Sequence, residues 1–274
     1  MAKINAATIR RTLSDAVTDV RVHWKKPARG KYVSYKEMLA FSIGGFGKEL
    51  VGNLFSYFGL AAGNTLLAML IGIRPTHIFY MSTAMTIINV LASIIRAKIV
   101  DNTRTRMGKF RPYILFAGFP IVAWCIAFLF LPFKTMTYSQ NLIVVFVFVL
   151  VQSFGSAFYN DTFNDLRSVM SPDSNERARI FSITSIMTSV APTITGILIP
   201  FLVDKIPDGY LNIDTYKWVI APLAIIGILM APVTALGTKE RIITSKAYKP
   251  KVRVFKEIIQ ICKNKYWWIR NISG

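Results

Sequence analysis

The sequence predicts an all-α membrane protein, a bundle of six transmembrane helices followed by the start of a seventh. Three observations carry that prediction. Six apolar runs are long enough to cross about 30 Å of hydrocarbon, at roughly 1.5 Å per helical residue. The breaks between them are short and polar. Lysine and arginine fall almost entirely in alternate breaks. The composition agrees, since 53% of the 274 residues are hydrophobic and the mean hydropathy is +0.43, outside the usual range of a water-soluble domain.

The runs cover about 38–71, 77–99, 113–132, 141–164, 180–203 and 217–237. The connections read "GIRPTH", "DNTRTRMGKFRP", "PFKTMTYSQN", "RSVMSPDSNERAR" and "DKIPDGYLNIDTYK". Residues 1–36 form a basic cytoplasmic leader, 37–237 the bundle, 238–266 a basic connector and 267–274 a truncated start of helix seven. That start, "YWWIRNISG", is expected to continue in a longer chain. The leader has an apolar row at helical spacing (Ile9, Leu13, Val17, Val20, Trp24) among basic residues. It reads equally as a helix on the inner leaflet or as a solvated tail. The connector sets Val252, Phe255, Ile259 and Cys262 against lysines, as a helix lying along the inner leaflet would.

Orientation follows from charge. With the N-terminus in the cytoplasm, about 27 of the 33 Lys and Arg lie on that side, and about four, Arg74, Lys134, Lys205 and Lys217, on the other. The net charge of +19 does not imply nucleic-acid binding, because the basic residues sit between apolar segments and not on one soluble face. The expected surroundings are the lipid bilayer of the cell membrane, crossed many times.

Inside the runs, small and polar residues recur every three or four positions: Gly45, Glu49, Asn53, Ser56, Gly59 and Gly63 in the first; Ser82, Thr86, Asn89 and Ser93 in the second; Gln152, Ser156, Asn160 and Asn164 in the fourth; Ser182, Ser185, Ser189 and Thr193 in the fifth. Such stripes line a wet cavity or pack helices together. Buried amides and acids are expensive in lipid and point to a transport route. Only Glu49 and Asp161 are acids within the runs, with Asp165 at the inner end of the fourth. A span from Leu50 to Ile73 would be long enough alone, so the Lys48–Glu49 pair fits either the interior or the interface.

The block "DNTRTRMGKFRPYIL", 101–115, resembles the loop between helices two and three of the glycoside-pentoside-hexuronide:cation symporters, the melibiose-carrier group of the major facilitator superfamily. "GFGKEL" at 45–50 and "SPDSNERARI" at 171–180 match the same group in order and spacing. The resemblance covers about residues 35 to 274. It implies the N-terminal six-helix half of a major facilitator fold, each half built of inverted three-helix repeats around a central site, with a C-terminal six-helix half as its partner.

The resemblance also assigns roles. Glu49 stands at the sugar-binding acid of helix one; Asn53, Tyr57, Asn160, Asp161 and Ser185 complete the candidate set for a small sugar-like solute. Acids on helix two hold the coupling cation in the family, and those positions are Asn89 and Ser93 here, so the cation carboxylates are absent. The family's helix-four acid falls at Asn160, with Asp161 one place off, and its helix-five arginine at about Ser185. Sodium coupling is therefore not expected; a proton, through Glu49 or Asp161, or no coupling ion remains, and no cofactor or metal is expected. Asp101, Thr103, Arg104, Arg106, Gly108, Lys109, Arg111 and Pro112 form a cytoplasmic loop read either as a gate latch or as a topology-setting positive loop. In it Gly108 permits a tight turn and Pro112 opens the third helix.

These features predict a secondary carrier moving a sugar, glycoside or related polar solute by alternating access. The alternative is a non-transporting membrane protein or decayed half-carrier that keeps the fold. An enzyme is not expected: no HExxH site, phosphate loop or nucleophile–base pairing is present, "GKF" is not a phosphate loop, Cys125 and Cys262 have no ligand spacing, and His23 and His77 lie outside the runs' polar stripes. The topology is checked by fusions: a reporter active only in the cytoplasm is active after Arg106 or Lys249 and silent after Lys134 or Asp208. The reverse pattern overturns the orientation.

Overall fold

The computed structural model describes residues 14–15, 17–60 and 64–242, and these are helical with short turns. In chain order the long helices are α1 (Tyr35–Tyr57), α2 (Pro75–Asn102), α3 (Arg111–Leu129, interrupted at Ala117), α4 (Tyr138–Met170), α5 (Ser174–Val203) and α6 (Ile213–Gly237, with a π-helical turn at Tyr216–Ile220). A separate π-helical turn, Thr65–Leu70, follows α1. Helices α2 to α6 are each long and apolar enough to cross a membrane; α1 is 23 residues long but carries Lys48, Glu49 and Asn53. From residue 243 on, the predicted connector and the start of a seventh helix lie outside the described residues.

Local chemistry sets the boundaries. Ser34 caps α1 by accepting from the Glu37 N–H at 3.4 Å, and Asp173 caps α5 by accepting from Asn175 N–H at 3.1 Å; both satisfy donors a helix start leaves open. Pro75 and Pro112 occupy the first turns of α2 and α3, where a missing N–H costs nothing. Asn64 stitches the turn after α1: its amide donates to the Tyr57 and Gly59 carbonyls at 2.9 and 2.8 Å, and its oxygen accepts from Leu67 N–H at 2.9 Å. The first run, expected as one span over 38–71, is thus divided, because α1 stops at Tyr57. Conversely, α4 and α5 are 33 and 30 residues long, about 50 and 45 Å, and outrun the hydrocarbon layer. The predicted loop between them shrinks to Ser171–Asp173.

Helix α1 is the centre of the packing, against α5 on one side and α6 on the other. Its side toward α6 has no room for side chains: a Cβ on Gly47 would lie 2.4 Å from the Gly227 carbonyl oxygen, and one on Gly227 would lie 2.6 Å from that of Gly47. The backbones are in contact, the small-residue packing that membrane helices use when burial against lipid gives no drive. Thr234 of α6 donates to the Ala40 carbonyl at 3.0 Å. Toward α5, the hydroxyls of Ser42 and Thr184 meet at 3.3 Å and Asn53 donates to Thr195 at 3.0 Å. At the far end of α1, Phe58 joins Phe128 of α3 and Phe148 of α4, whose rings stack at 3.8 Å.

Outside this core the surface is apolar. Only 22% of the hydrophobic stretch of α2, α4 or α5 is buried, and Ile87, Val90, Leu91, Ile186, Ile197 and Phe201 stand exposed. A surface of that kind has lipid as its solvent, and the chain is a multi-pass membrane protein. The described part of the leader is tied to the bundle. The Tyr35 hydroxyl donates to Asp19 at 2.5 Å, accepts from Arg179 at 3.0 Å, and holds the Asp19 carboxyl below the usual carboxylate range. The α1–α6 contact is testable by thermal unfolding of the complete protein in detergent. Gly47→Ala pushes two backbones apart and lowers the midpoint by several degrees, the effect of roughly 1–3 kcal/mol of overpacking; Gly196→Ala, where a Cβ meets nothing within 4 Å, leaves it unchanged. Equal midpoints would remove the close approach.

Candidate functional site

Fourteen residues into an unbroken α1, about 20 Å from its start, Glu49 belongs to the helix interior and not to its end. The Lys48 and Glu49 side chains are ion-paired at 2.9 Å. They line a polar recess of about 90 Å³ between α1, α4 and α5, with Asn164 and Arg167 from α4 and Thr184, Ser185 and Thr188 from α5. Its apolar wall is Phe41 stacked on Phe163, ring centroids 4.7 Å apart, and Phe181. Aromatic faces beside carboxylate, amide and hydroxyl groups suit a ring that is apolar on its faces and hydroxylated on its edge, the chemistry of a sugar.

Of the predicted solute residues, the recess gathers Glu49 and Ser185. Asn53, one turn beyond Glu49, is engaged with Thr195 and with the Glu49 carbonyl; it ties α1 to α5. Tyr57 lies at the end of α1, edge-on to Tyr216 at 5.6 Å, and outside the recess. Asn160 is half-buried. Asp161 does not join the recess lining: its carboxylate is 3.1 Å from the Nε of Arg96 on α2, and Asp165 is 3.4 Å from Nη1 of the same guanidinium. Asn89 and Ser93 are exposed on α2, with the Ser93 hydroxyl donating to the Val90 carbonyl at 2.8 Å. Lys48, Arg167, Thr184 and Thr188 complete the recess without having been singled out as solute residues. Thr184 and Thr188 share the serine stripe's helix, and their period was the available signal.

The loop between α2 and α3 is a built structure. Asp101 pairs with Lys109; Thr103 bridges the Ile99 carbonyl and the Tyr113 hydroxyl at 2.9 and 2.6 Å; Arg104 donates to the Asp101 and Thr103 carbonyls. Arg106 lies within the turn closed by the Thr105 hydroxyl, which donates to the Gly108 carbonyl at 2.6 Å. Gly108 has φ +111°, a conformation that favours glycine. Arg111 Nη1 donates to the Met107 carbonyl at 3.0 Å and its Nε to that of Ala235 on α6.

The loop's main partner went unseen in the sequence. Glu240, just past α6, accepts from the N–H groups of Lys109, Phe110 and Arg111 at 2.8, 2.8 and 3.0 Å. An anion there satisfies open donors and opposes the positive end of the α3 dipole. Two more carboxylates act at the same end of the bundle. Glu176, 5% exposed, accepts from Tyr32 and Val33 N–H, and Glu37 pairs with Arg241 at 2.8 Å. Arg241 in turn donates from its backbone N–H to the Val169 carbonyl at 2.8 Å.

Comparison with known proteins identifies the family. A family model described as MFS/sugar transport protein matches residues 40–271. An uncharacterised symporter of Bacillus subtilis is 26% identical over 221 residues, 79% of this chain and 46% of that protein. A glucuronide carrier protein homolog of Escherichia coli is 24% identical over 226 residues, 77% of this chain and 45% of that protein. A lactose permease of Lactobacillus delbrueckii subsp. bulgaricus is 28% identical over 217 residues, 70% and 34% of the two chains. The chain spans half or less of the length of these curated relatives. With the family model matched over most of its length, by helices that bury glycine contacts and leave an apolar surface to lipid, the chain belongs to the MFS/sugar transport protein family.

Proposed function

We propose that this chain forms the N-terminal six-helix half of a secondary carrier that moves a sugar, glycoside or related polar solute across the cell membrane by alternating access, with the N-terminus in the cytoplasm. The observation that carries the reading is the recess at Glu49: a carboxylate, an amide and three hydroxyls beside stacked aromatic rings, in the interior of a helix within an otherwise lipid-facing bundle. The relatives' names, a symporter, a glucuronide carrier and a lactose permease, support the same class of solute. The second half of the carrier supplies the opposite wall of the route, and the α2–α3 loop, locked by Glu240, serves as the inner latch.

Glu49 holds solute hydroxyls by charge-assisted hydrogen bonds, which are roughly twice as strong as neutral ones. Lys48, paired with it at 2.9 Å, orients the carboxylate. Ser185, Thr184, Thr188 and Asn164 provide the neutral donors and acceptors around it. In the complete protein, Glu49→Gln keeps the shape and removes the charge; initial uptake of the transported sugar falls at least about tenfold, corresponding to the ~1.4 kcal/mol expected of one such bond, at unchanged expression. Undiminished uptake would return the Lys48–Glu49 pair to a structural role.

Coupling follows from how the acids are matched. Of the acids within or just at the end of the predicted runs, Glu49 is answered by Lys48, and Asp161 and Asp165 by Arg96. Asn89 and Ser93 offer neutral dipoles, which compensate a lost sodium hydration shell poorly. Initial uptake is accordingly indifferent to replacing Na⁺ by K⁺ at fixed ionic strength, and a sodium gradient drives no accumulation. Stimulation by Na⁺ of several-fold, abolished by Asp161→Asn, would show instead that this acid holds the ion.

A further inference from the structure

Arg96 follows Ser93 by three residues and Asn89 by seven, so all three share one face of α2. Its side chain is 13% exposed, and it reaches across to two carboxylates one turn apart on α4, Asp161 at 3.1 Å and Asp165 at 3.4 Å. A guanidinium does not give up its proton in a protein. Two like charges at this spacing repel each other, and for Asp161, within the predicted fourth run, a charge without a partner is costly in lipid. One arginine therefore converts an arrangement of charge −2, which would draw a small cation, into one of charge −1 whose positive member cannot leave.

We propose that Arg96 is a built-in counter-ion. Its tethered charge takes the place between α2 and α4 that a monovalent cation would otherwise occupy, and so sets the ion specificity of the cycle to none at this position. The proposal rests on the carrier reading for its consequence in transport, but its geometry stands apart from the solute recess. A salt bridge that merely held two helices together would be weakened by any substitution, whatever ions were present. A counter-ion is replaceable by a free ion.

The test reads stability, not uptake, in the complete protein purified in detergent. Unfolding midpoints are compared in NaCl and choline chloride at equal ionic strength. The native protein shows no difference. Arg96→Met, with both carboxylates left, unfolds about 3 °C higher in Na⁺ than in choline, the size expected when a ligand well above its Kd binds only the folded state. Adding Asp161→Asn and Asp165→Asn removes that response. If Arg96→Met yields no folded protein, Arg96→Gln with Asp165→Asn, which leaves one carboxylate, is measured instead and shows the same sign. A sodium response in the native protein, or none in the Arg96 variant that folds, overturns the proposal. Loss of all sugar uptake in the native protein would remove the carrier reading and leave this result intact.

Discussion

Helices α1 and α6 approach until carbonyl oxygens face α-carbons, at Gly47 and Gly227, and the remaining geometry follows from that contact. In lipid, apolar side chains gain little by leaving their surroundings, so close van der Waals packing and a few polar links must hold helices together. Once one side of α1 is spent on α6, its neighbouring side meets α5 through Ser42 and Asn53. Glu49 lies on that same side, seven residues after Ser42 and one turn before Asn53, with Lys48 beside it. Glu49 is thus positioned by its helix, through the glycine seam with α6 on one side and the polar links to α5 one and two turns away on its own.

Much of the architecture was legible. Long apolar runs and proline at helix starts locate α2, α3 and α6 to within about four residues, because hydrocarbon thickness and unsatisfied N–H groups leave little choice. Helix α1 was read too long since Leu60 and Leu66 to Ile71 are as apolar as a span, while the turn depends on Asn64 capturing two carbonyls. Helices α4 and α5 were read too short for the opposite reason: the ends at which they meet, near Met170 and Ser174, are polar and still helical, a continuation that hydropathy does not register.

The site was legible only in part. Glu49 and Ser185 fall on polar stripes and share the recess. Asn53 lies on the same stripe yet faces Thr195, because a period of 3.6 names a side of a helix and not the neighbour that covers it. Gly44 and Gly47, outside the chosen stripe, make the close contacts. Arg96 falls inside the second run, where hydropathy gives a lone cation no partner, and only the packing of α2 on α4 brings it to Asp161. Glu240 had no signal at all. Its partners lie 129 to 131 positions earlier in the chain, and no local pattern encodes a contact of that separation.

The pairing of Gly108 with Glu240 has a consequence for how this sequence can drift. A Cβ at position 108 would fall 2.4 Å from the Glu240 carboxyl carbon, and the backbone there is independently left-handed. The two constraints are unequal. Shortening residue 240 makes space yet leaves the torsion demanding glycine, whereas any side chain gained at 108 expels the carboxylate that three amides share. Substitution can therefore proceed first at 240 and not first at 108, a one-way order imposed on two positions that are distant in the chain.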